Sequence, residues 1–419
     1  MVLVRGEQLA EGKTKIIYAV KDDANLCIVY SKDRITAHNA ARANELEGKA
    51  QVSTRTAASV FGLLTDAGIR NHFVRQESER EFVAERCAMI PIEWVTRRIA
   101  TGSFLKRNYN VKEGFRFTPV KRETFYKDDA NNDPEWSLQD VISAEMVAGG
   151  VAITAQHVDM MSRTSECVFE ILERAWASID CALIDMKIEF GVNSKGEVIL
   201  ADIIDADSWR LWPAGDRRLM KDKQVYRDMA EVTPEALQQV KRNFEWIADK
   251  LELLLPAPKC RAVVIMGSPS DKAWAEKIAA CCQKFGVPAV CRVSSAHKST
   301  EGTLAIVSHY EGDGVPTVFI AVAGRSNGLG PVISGNTVYP VINCPPPSEN
   351  WGAQDIWSSL RMPSGLGCST TLNADGAAAA AAQIFALSDH RIWSKLRARQ
   401  LNTTLDLMVA DKNLVESFS

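Results

Sequence analysis

The sequence predicts two domains, an α+β domain followed by an α/β domain with a doubly wound parallel sheet. At 419 residues the chain is too long for one ordinary core. A helical pattern from Thr233 to Leu254 stops at Pro256-Ala-Pro258, which is typical of a short stiff linker. Hydrophobic patterning also differs on the two sides of this linker. We therefore assign residues 1–255 to the first domain, 256–260 to the linker and 261–419 to the second domain.

The most informative element of the first domain is the segment 183–202, because its apolar and polar residues alternate. Asp185, Lys187 and Glu189 share one face of the predicted strand, as a half-buried strand requires. The residues 193–196 predict a hairpin turn, and 198–204 predict the returning strand. If the loop is the two residues 195–196, or the four around them, Glu189 lies directly opposite Asp202.

Facing carboxylates repel unless something neutralises them, and the sequence leaves two explanations open. A divalent cation would neutralise Glu189 and Asp202, and ligation by oxygen alone favours magnesium. An exposed acidic face with Lys187 as its partner explains the pair equally well when it is taken alone.

Basic residues elsewhere in the first domain favour the magnesium explanation. The glycine turn at 11–15 places Lys13 and Lys15 on one face, although its spacing does not fit a Walker A loop. The strand at 90–99 brings Arg97 and Arg98 toward the turn at 101–103, where an anion could bind. Further cations follow at 210 and 221–227. Together they predict a site for magnesium, a nucleotide and a second anionic substrate.

The second domain predicts a parallel sheet because short apolar runs alternate with helical stretches. These runs begin at 262, 289, 317 and 338, and each suits a strand that is covered on both faces. Polar loops follow three of the runs: GSPSD at 267–271, SAHK at 295–298 and GRSNGLGP at 324–331. Because ligands bind at the carboxyl ends of such strands, we expect these loops to meet. No dinucleotide fingerprint is present.

Composition limits the partners and the compartment. A net charge of −3 gives no general attraction to nucleic acid or to anionic membranes. No apolar run reaches the length of a membrane span, and the first residues lack the core of a signal peptide. The 10 cysteines include no C-x-x-C pair, which favours a reduced, cytosolic protein.

Four segments of the first domain resemble the SAICAR synthetase family: EGKTK at 11–15, SKDRITAHN at 31–39, MIPIEWVTRRIATGSFLKR at 89–107 and LIDMKIEFG at 183–191. The resemblance implies antiparallel sheets plus helices around an ATP cleft. It also implies that MgATP activates the carboxylate of CAIR as an acyl phosphate, which the amine of L-aspartate then attacks. The loop Ala37-His38-Asn39 departs from the bacterial pattern and receives no role.

Site residues carried over from this family fall into four sets. The resemblance implies ATP contacts from Lys13, Lys15, Met89 and Lys127; CAIR contacts from Arg97, Ser103, Arg210 and Arg227; catalytic roles for Asp185 and Lys187; and magnesium ligation by Glu189 and Asp202.

The second domain resembles the AIR carboxylase family through GSPSD, SAHK, the segment 323–342 and SLRMPSGLGCST at 359–370. The resemblance implies a flavodoxin- or Rossmann-like three-layer fold that carboxylates AIR with CO2 directly, without biotin, ATP or any other cofactor. It implies catalytic roles for His297 and Lys298, AIR contacts from Ser268, Asp271, Ser295 and Lys298, and CO2 contacts from Ser326 and Gly328.

The order of the two domains resembles the animal bifunctional enzymes of purine biosynthesis. That resemblance implies a homo-oligomer, by expectation an octamer, whose carboxylase sites lie between subunits. We expect the alanine helix near 377–382 and the tail helix from about 389 to supply subunit contacts.

Two other functions make different predictions about this sequence. A nucleotide-cofactor oxidoreductase fused to a kinase-like module would carry a dinucleotide fingerprint. A non-catalytic scaffold for purine intermediates would have lost Lys13, Glu189, Asp202 or His297. The sequence disfavours both.

Overall fold

The computed structural model describes residues 3–37, 41–347 and 354–418. His38 and Asn39, in the loop without a role, lie outside them. The chain divides into two compact units, Met1–Pro256 with Ala398–Ser419, and Ala257–Arg397. The last residues of the chain, which the sequence analysis assigns to the second domain, therefore group with the first unit. None of the helices in the described ranges is long and apolar enough to cross a bilayer.

The first unit is built from strands and helices in the following chain order: β1 (Arg5–Glu11), β2 (Lys15–Val20), β3 (Asp23–Ser31), β4 (Arg34–Ala37), β5 (Arg42–Glu45), α1 (Lys49–Ala67), β6 (Phe73–Ser78), β7 (Glu81–Glu85), β8 (Ala88–Met89), β9 (Ile92–Ile99), α2 (Ser103–Arg107), β10 (Arg116–Tyr126), β11 (Glu135–Trp136), α3 (Leu138–Ser143), β12 (Val147–Ala148), β13 (Val151–Ala152), α4 (Ala155–Ala177), β14 (Cys181–Val192), β15 (Val198–Ala201), β16 (Trp209–Pro213), α5 (Gln224–Arg227) and α6 (Pro234–Glu252).

Two antiparallel sheets form the framework of this unit. One has the strand order β1-β2-β3-β7-β6, and the other has the order β11-β10-β9-β14-β15, with β8 and β16 also paired to β14. Helix α6 begins at the predicted position, where the hydroxyl of Thr233 accepts a hydrogen bond from the backbone N–H of Ala236. The α+β prediction for the first domain is confirmed.

The predicted hairpin forms, but its register differs by one residue from the prediction. Glu189 pairs with Ala201, and the loop covers 193–197 because Val192 pairs with Val198. Asp202 lies just beyond β15, where its backbone takes a left-handed φ of 63°. The prediction that Glu189 and Asp202 are directly opposite is therefore wrong. The strand is also buried on both faces, not half-buried.

The second unit contains β17 (Arg261–Met266), α7 (Lys272–Lys284), β18 (Ala289–Val293), α8 (Thr300–Glu311), β19 (Thr317–Val322), α9 (Leu329–Ser334), β20 (Val341–Asn343), α10 (Trp357–Leu360), β21 (Cys368–Thr370) and α11 (Ala374–Phe385). The last helix, α12 (His390–Ser417), begins here and ends among residues of the first unit.

The strands of this unit form one parallel sheet with the order β18-β17-β19-β20-β21. This is the flavodoxin-like order of a doubly wound fold, and it confirms the predicted class. Strand β21 was not predicted. The face of α11 formed by Ala377, Ala378, Ala381 and Ala382 is buried in the core of this unit together with α7, and the subunit contacts expected from this helix stay a prediction.

Candidate active sites

A cavity of about 1240 Å³ opens in the first unit between its two sheets and the turn at 11–15. Pockets for one small molecule are usually about 300–1,000 Å³, so this cavity has room for more than one substrate. It brings together most of the predicted synthetase residues, namely Lys13, Lys15, Arg97, Ser103, Lys127, Asp185, Lys187, Glu189, Asp202, Arg210 and Arg227. Met89 does not line the cavity; it lies on β8, paired with Gly191 and largely exposed.

Glu189 and Asp202 reach the same part of this cavity despite the shifted register. The ammonium group of Lys187 contacts the carboxylate of Glu189 and lies 3.7 Å from that of Asp202. Lys127 lies 2.8 Å from Glu189 on its other oxygen, and Lys15 pairs with Asp202. The two acids therefore form one cluster with three lysines. Lys187 lies near both acids, as the explanation by an exposed acidic face proposed.

This clustering changes the proton affinity of Glu189. Burial by itself would raise the pKa of this carboxyl, but Lys187, Lys127 and Lys15 outweigh burial and lower its pKa to about 2. Burial lowers the pKa of the Lys15 ammonium to about 8, and the charge of Glu189 acts against that change. Glu189 is thus a carboxylate at any physiological pH, as a metal ligand must be.

The donor set fits magnesium as a partial site. Glu189 and Asp202 offer hard oxygen ligands close together, and magnesium usually takes one or two carboxylates with substrate phosphates and water. Among the described residues no group of three or more His, Cys, Asp or Glu side chains could hold a metal ion. The remaining ligands would therefore have to come from substrate and water.

A second cluster in the cavity is built around Asp185. One oxygen of this carboxylate accepts hydrogen bonds from Arg97 and Arg210, each at 2.6 Å. Arg97 also contacts the buried Glu123 on β10, which the sequence analysis did not single out. Gly102 has a φ of 60° and lies so close to Arg210 that a Cβ there would be 2.6 Å from Nη2. The glycine in the predicted anion-binding turn therefore makes room for an arginine.

Arg97 and Arg98 do not point the same way, because neighbouring residues of a strand face opposite sides of the sheet. Arg98 donates hydrogen bonds to both carboxylate oxygens of Glu173 on α4. The expectation that both arginines approach the turn at 101–103 is therefore wrong for Arg98.

In the second unit, the predicted AIR contacts lie at the carboxyl ends of adjacent strands. Ser268 and Asp271 follow β17, and Ser295 follows β18; the two strands are joined by the hydrogen bond from Ser294 N–H to the carbonyl of Met266, at 3.0 Å. Asp271 is the residue that precedes α7, its side chain makes no capping hydrogen bond to that helix, and burial raises the pKa of its carboxyl. His297 and Lys298 are exposed in the loop that follows.

The loop after β19 meets this group where the imidazole of His297 lies against Gly328. A Cβ at Gly328 would overlap the His297 ring, and its first contact would be with Nε2. Ser326 lies on the same loop and is exposed. The structure therefore brings the predicted proton-transfer residue beside one of the two predicted CO2 contacts.

Asn327 holds this loop in place through buried hydrogen bonds. The sequence analysis did not identify Asn327 as a functional residue. Its side-chain amide donates to Asn343 and to Ser359, each at 3.0 Å, and its carbonyl oxygen accepts from the N–H of Gly330 at 3.0 Å. The side chain is buried, so each of these polar atoms needs its partner. Its position between the predicted CO2 contacts Ser326 and Gly328 could have indicated its importance.

Two family models match the chain over consecutive ranges. The SAICAR synthetase model matches residues 8–244, and the AIR carboxylase model matches residues 261–405. The fold and the two clusters of site residues therefore define a fused two-domain enzyme of these families.

Relatives with the same arrangement match almost the whole chain. The chain is 59% identical over 413 residues to the multifunctional protein ADE2 of Gallus gallus, covering 98% of this chain and 97% of that protein. It is 58% identical over 417 residues to the bifunctional phosphoribosylaminoimidazole carboxylase/phosphoribosylaminoimidazole succinocarboxamide synthetase of Homo sapiens, covering 99% of this chain and 98% of that protein. The chain belongs to this family of bifunctional carboxylase–synthetases.

Solved structures match the first unit. The phosphoribosylaminoimidazole-succinocarboxamide synthase of Ehrlichia chaffeensis superposes with a TM-score of 0.53 at 29% identity, covering 60% of this chain and 100% of that one. A type-2 SAICAR synthetase in complex with ADP superposes with a TM-score of 0.50 at 28% identity, covering 57% of this chain and 97% of that one.

Proposed function

We propose that this chain catalyses two successive steps of purine biosynthesis. Its second domain carboxylates AIR with CO2 to give CAIR. Its first domain then condenses CAIR with L-aspartate at the expense of ATP, which gives SAICAR, ADP and phosphate. This proposal rests on the match of both family models to separate ranges of the same chain. The chain also resembles bifunctional relatives over nearly its full length.

In the synthetase half, the lysines are placed to receive a triphosphate. Lys13, Lys15 and Lys127 line the cavity beside Glu189 and Asp202, and their ammonium groups would exchange carboxylate partners for phosphate oxygens. Met89 remains a proposed adenine contact from the family resemblance alone. Bound with ATP, Mg2+ would neutralise charge on the phosphates, and Glu189 and Asp202 would hold it there.

The arginine cluster would hold the ribotide. Arg97, Arg210 and Arg227, with Ser103 at the start of α2, supply donors for a phosphate and a carboxylate. Asp185 keeps Arg97 and Arg210 in place, and Lys187 lies near the point where the CAIR carboxylate would meet the γ-phosphate. The carboxylate oxygen attacks phosphorus and ADP leaves; the aspartate nitrogen then attacks the acyl carbon and phosphate leaves. Fixed cations stabilise the charge that gathers in both steps.

The carboxylase half would work through oriented polar groups. Ser268, Asp271, Ser295 and Lys298 would hold AIR, and Ser326 with the backbone of Gly328 would orient CO2. The ring carbon of AIR attacks CO2, and His297, beside Gly328, would take or relay the ring proton. We propose that this half uses no biotin or other cofactor.

Assembly and location are also proposals. The exposure of His297, Lys298 and Ser326 on one chain suits a site that a second subunit completes, and we propose a homo-oligomer, an octamer by resemblance. All ten cysteines are free, which suits the cytosol.

The direct test is incubation of the protein with AIR, bicarbonate, L-aspartate and MgATP. SAICAR should form only when all four are present. CAIR should accumulate when L-aspartate or ATP is omitted. Formation of SAICAR without ATP, or failure to form CAIR from AIR, would contradict the proposal.

Two substitutions test whether the sites are separate. Glu189→Gln should abolish SAICAR formation from CAIR and leave carboxylation of AIR intact, and His297→Ala should do the converse. Loss of both activities in one folded, oligomeric variant would count against separate sites.

A further inference from the structure

Asp222 is a completely buried carboxylate beside the synthetase cavity, and none of the roles above uses it. It lies between the strand β16 and the short helix α5, which carry Arg210 and Arg227. Both arginines line the cavity, whereas Asp222 does not. Burying a charged group is costly unless its partners compensate for it, so the reason for an acid at this position must lie in those partners.

The two carboxylate oxygens of Asp222 join β16 to α5. One oxygen accepts a hydrogen bond from the backbone N–H of Leu211, at 2.9 Å, and the other accepts one from the N–H of Gln224, at 2.8 Å. Leu211 follows Arg210 directly on the strand, and Gln224 is the first residue of the helix. Because α5 has only four residues, its own hydrogen bonds cannot hold it in place, and Asp222 supplies an attachment.

The side chain of Gln224 connects this attachment to both arginines. Its carbonyl oxygen accepts a hydrogen bond from Nη2 of Arg210, at 3.3 Å, and from Nη1 of Arg227, at 3.4 Å. Neighbouring guanidinium groups repel each other, and the charge of Arg210 acts with burial to lower the pKa of Arg227. Asp222 is one of the acids that oppose this change. It therefore acts on the arginine pair both through hydrogen bonds and through its charge.

Asp222 keeps that charge at neutral pH. Burial raises the pKa of its carboxyl to about 6, and the two backbone N–H groups and the charge of Arg210 limit the rise. The carboxylate is thus still ionised at pH 7 and above, where it can accept both hydrogen bonds.

The far end of α5 has a separate anchor. The guanidinium of Arg42 on β5 donates hydrogen bonds to the carbonyl of Tyr226, at 3.2 Å, and to that of Met229, at 2.7 Å. Loss of the Asp222 carboxylate should therefore displace the start of the helix without releasing its end. The effect of such a change should be local.

We propose that Asp222 is a positioning residue of the ribotide site: by tying Leu211 to Gln224, it holds Arg210 and Arg227 side by side so that both can bind one anionic group of CAIR. Asp222 itself would not touch the substrate. The inference rests on the proposed synthetase function, in which these two arginines contact CAIR.

Steady-state kinetics of SAICAR formation by the full-length protein test this role. Asp222→Asn has the same size but lacks the charge, and it turns an N–H donor toward one of the two backbone N–H groups. It should raise KM for CAIR roughly 10- to 100-fold, because the arginines are misplaced, and leave KM for ATP unchanged. Carboxylation of AIR by the same preparation should be unchanged, which reports that the chain is folded.

Asp140→Asn is the matched control. Asp140 also holds the start of a short helix, α3, by accepting a hydrogen bond from the N–H of Ser137 at 2.7 Å, but neither residue lines the cavity. This substitution should leave KM for CAIR unchanged. If Asp222→Asn does not fold, Gln224→Ala removes the next link in the chain of contacts and should raise KM for CAIR roughly 2- to 10-fold.

A double substitution shows whether Asp222 acts through the arginines. In an Arg210→Lys background, Asp222→Asn should raise KM for CAIR by a smaller factor than it does in the wild type, because the two residues belong to one network. Full additivity, an unchanged KM for CAIR in Asp222→Asn and Gln224→Ala, or an equal rise in KM for ATP would overturn the positioning role. In each of these cases wild-type turnover would still support the synthetase function, whereas absence of wild-type turnover would refute that function.

Discussion

The imidazole of His297 lies directly against the backbone of Gly328, so residue 328 has no space for a side chain. Gly328→Ala would push the imidazole aside. Because the ring is the end of a movable side chain, we expect little change in thermal stability. A displaced proton-transfer group should nevertheless lower kcat for AIR carboxylation, by roughly 10- to 100-fold. Initial rates of CAIR formation check this prediction. SAICAR formation from supplied CAIR is the internal control, and undiminished carboxylation would remove the role given to this contact.

Gly102→Ala should specifically impair the ribotide site. The new methyl group would meet the guanidinium of Arg210, and the backbone of Gly102, at φ 60° and ψ −133°, adds strain of about 1–3 kcal/mol for a residue with a Cβ. We expect a higher KM for CAIR with an unchanged KM for ATP. Gly114→Ala is the matched control, because Gly114 also has a positive φ but nothing lies within 4 Å of its Cβ position. Equal effects of the two substitutions on CAIR would show that strain alone is responsible.

Arg97 and Arg98 offer a test on consecutive residues. Arg97→Lys keeps the charge but cannot reach Glu123 and Asp185 in the same fork geometry, so KM for CAIR should rise about tenfold or more. Arg98→Lys loses its two-point contact with Glu173 outside the cavity and should cost only stability. KM measurements together with thermal unfolding distinguish the two outcomes. A larger KM effect at residue 98 would reverse the assignment of the two faces.

Glu189 should make stability depend on pH on the acid side. Its pKa in the folded protein is about 2, below the ordinary value of 4.5, because three lysines surround the carboxylate. The stabilisation is therefore complete above about pH 5 and is lost as the pH falls toward 2. The free energy of unfolding of the wild type should lose about 2 kcal/mol more than that of Glu189→Gln between about pH 5 and pH 3. Denaturant titrations at several pH values measure it; parallel curves would argue against the lysine cluster.

Hydrophobic patterning predicted the fold well where strands are long and apolar. The strands β17 and β19 and the helix α6 lie where the sequence placed them. Strand β18 also forms at the predicted place, but it is an edge strand with no buried residue, so the prediction that it is covered on both faces is wrong. Strand β21 escaped prediction because it has only three residues, Cys368–Thr370, of mixed polarity. Its pairing with β20 is a property of the assembled sheet and leaves no local periodicity.

The candidate synthetase site was predicted in its residue types but not in its geometry. Assuming a two- or four-residue loop set the register of Glu189 one position away from that observed. Lys187 contacts Glu189 and lies 3.7 Å from Asp202. Pairing with Lys187 and binding of magnesium are therefore compatible explanations of this acidic pair. No local sequence pattern marked the buried residues Glu123 and Asn327. Each acts by contacting a residue that is distant in the chain, Arg97 for Glu123 and Asn343 for Asn327.

The left-handed backbone at Asp202 narrows the choice of amino acid at that position. Asparagine and aspartate enter this conformation far more readily than longer or branched side chains, and glycine does so freely. Of these three, only aspartate carries a negative charge. The left-handed backbone and the need for a negative charge beside a cation thus both favour aspartate at position 202. The substitution Asp202→Asn would remove the charge and keep the backbone conformation.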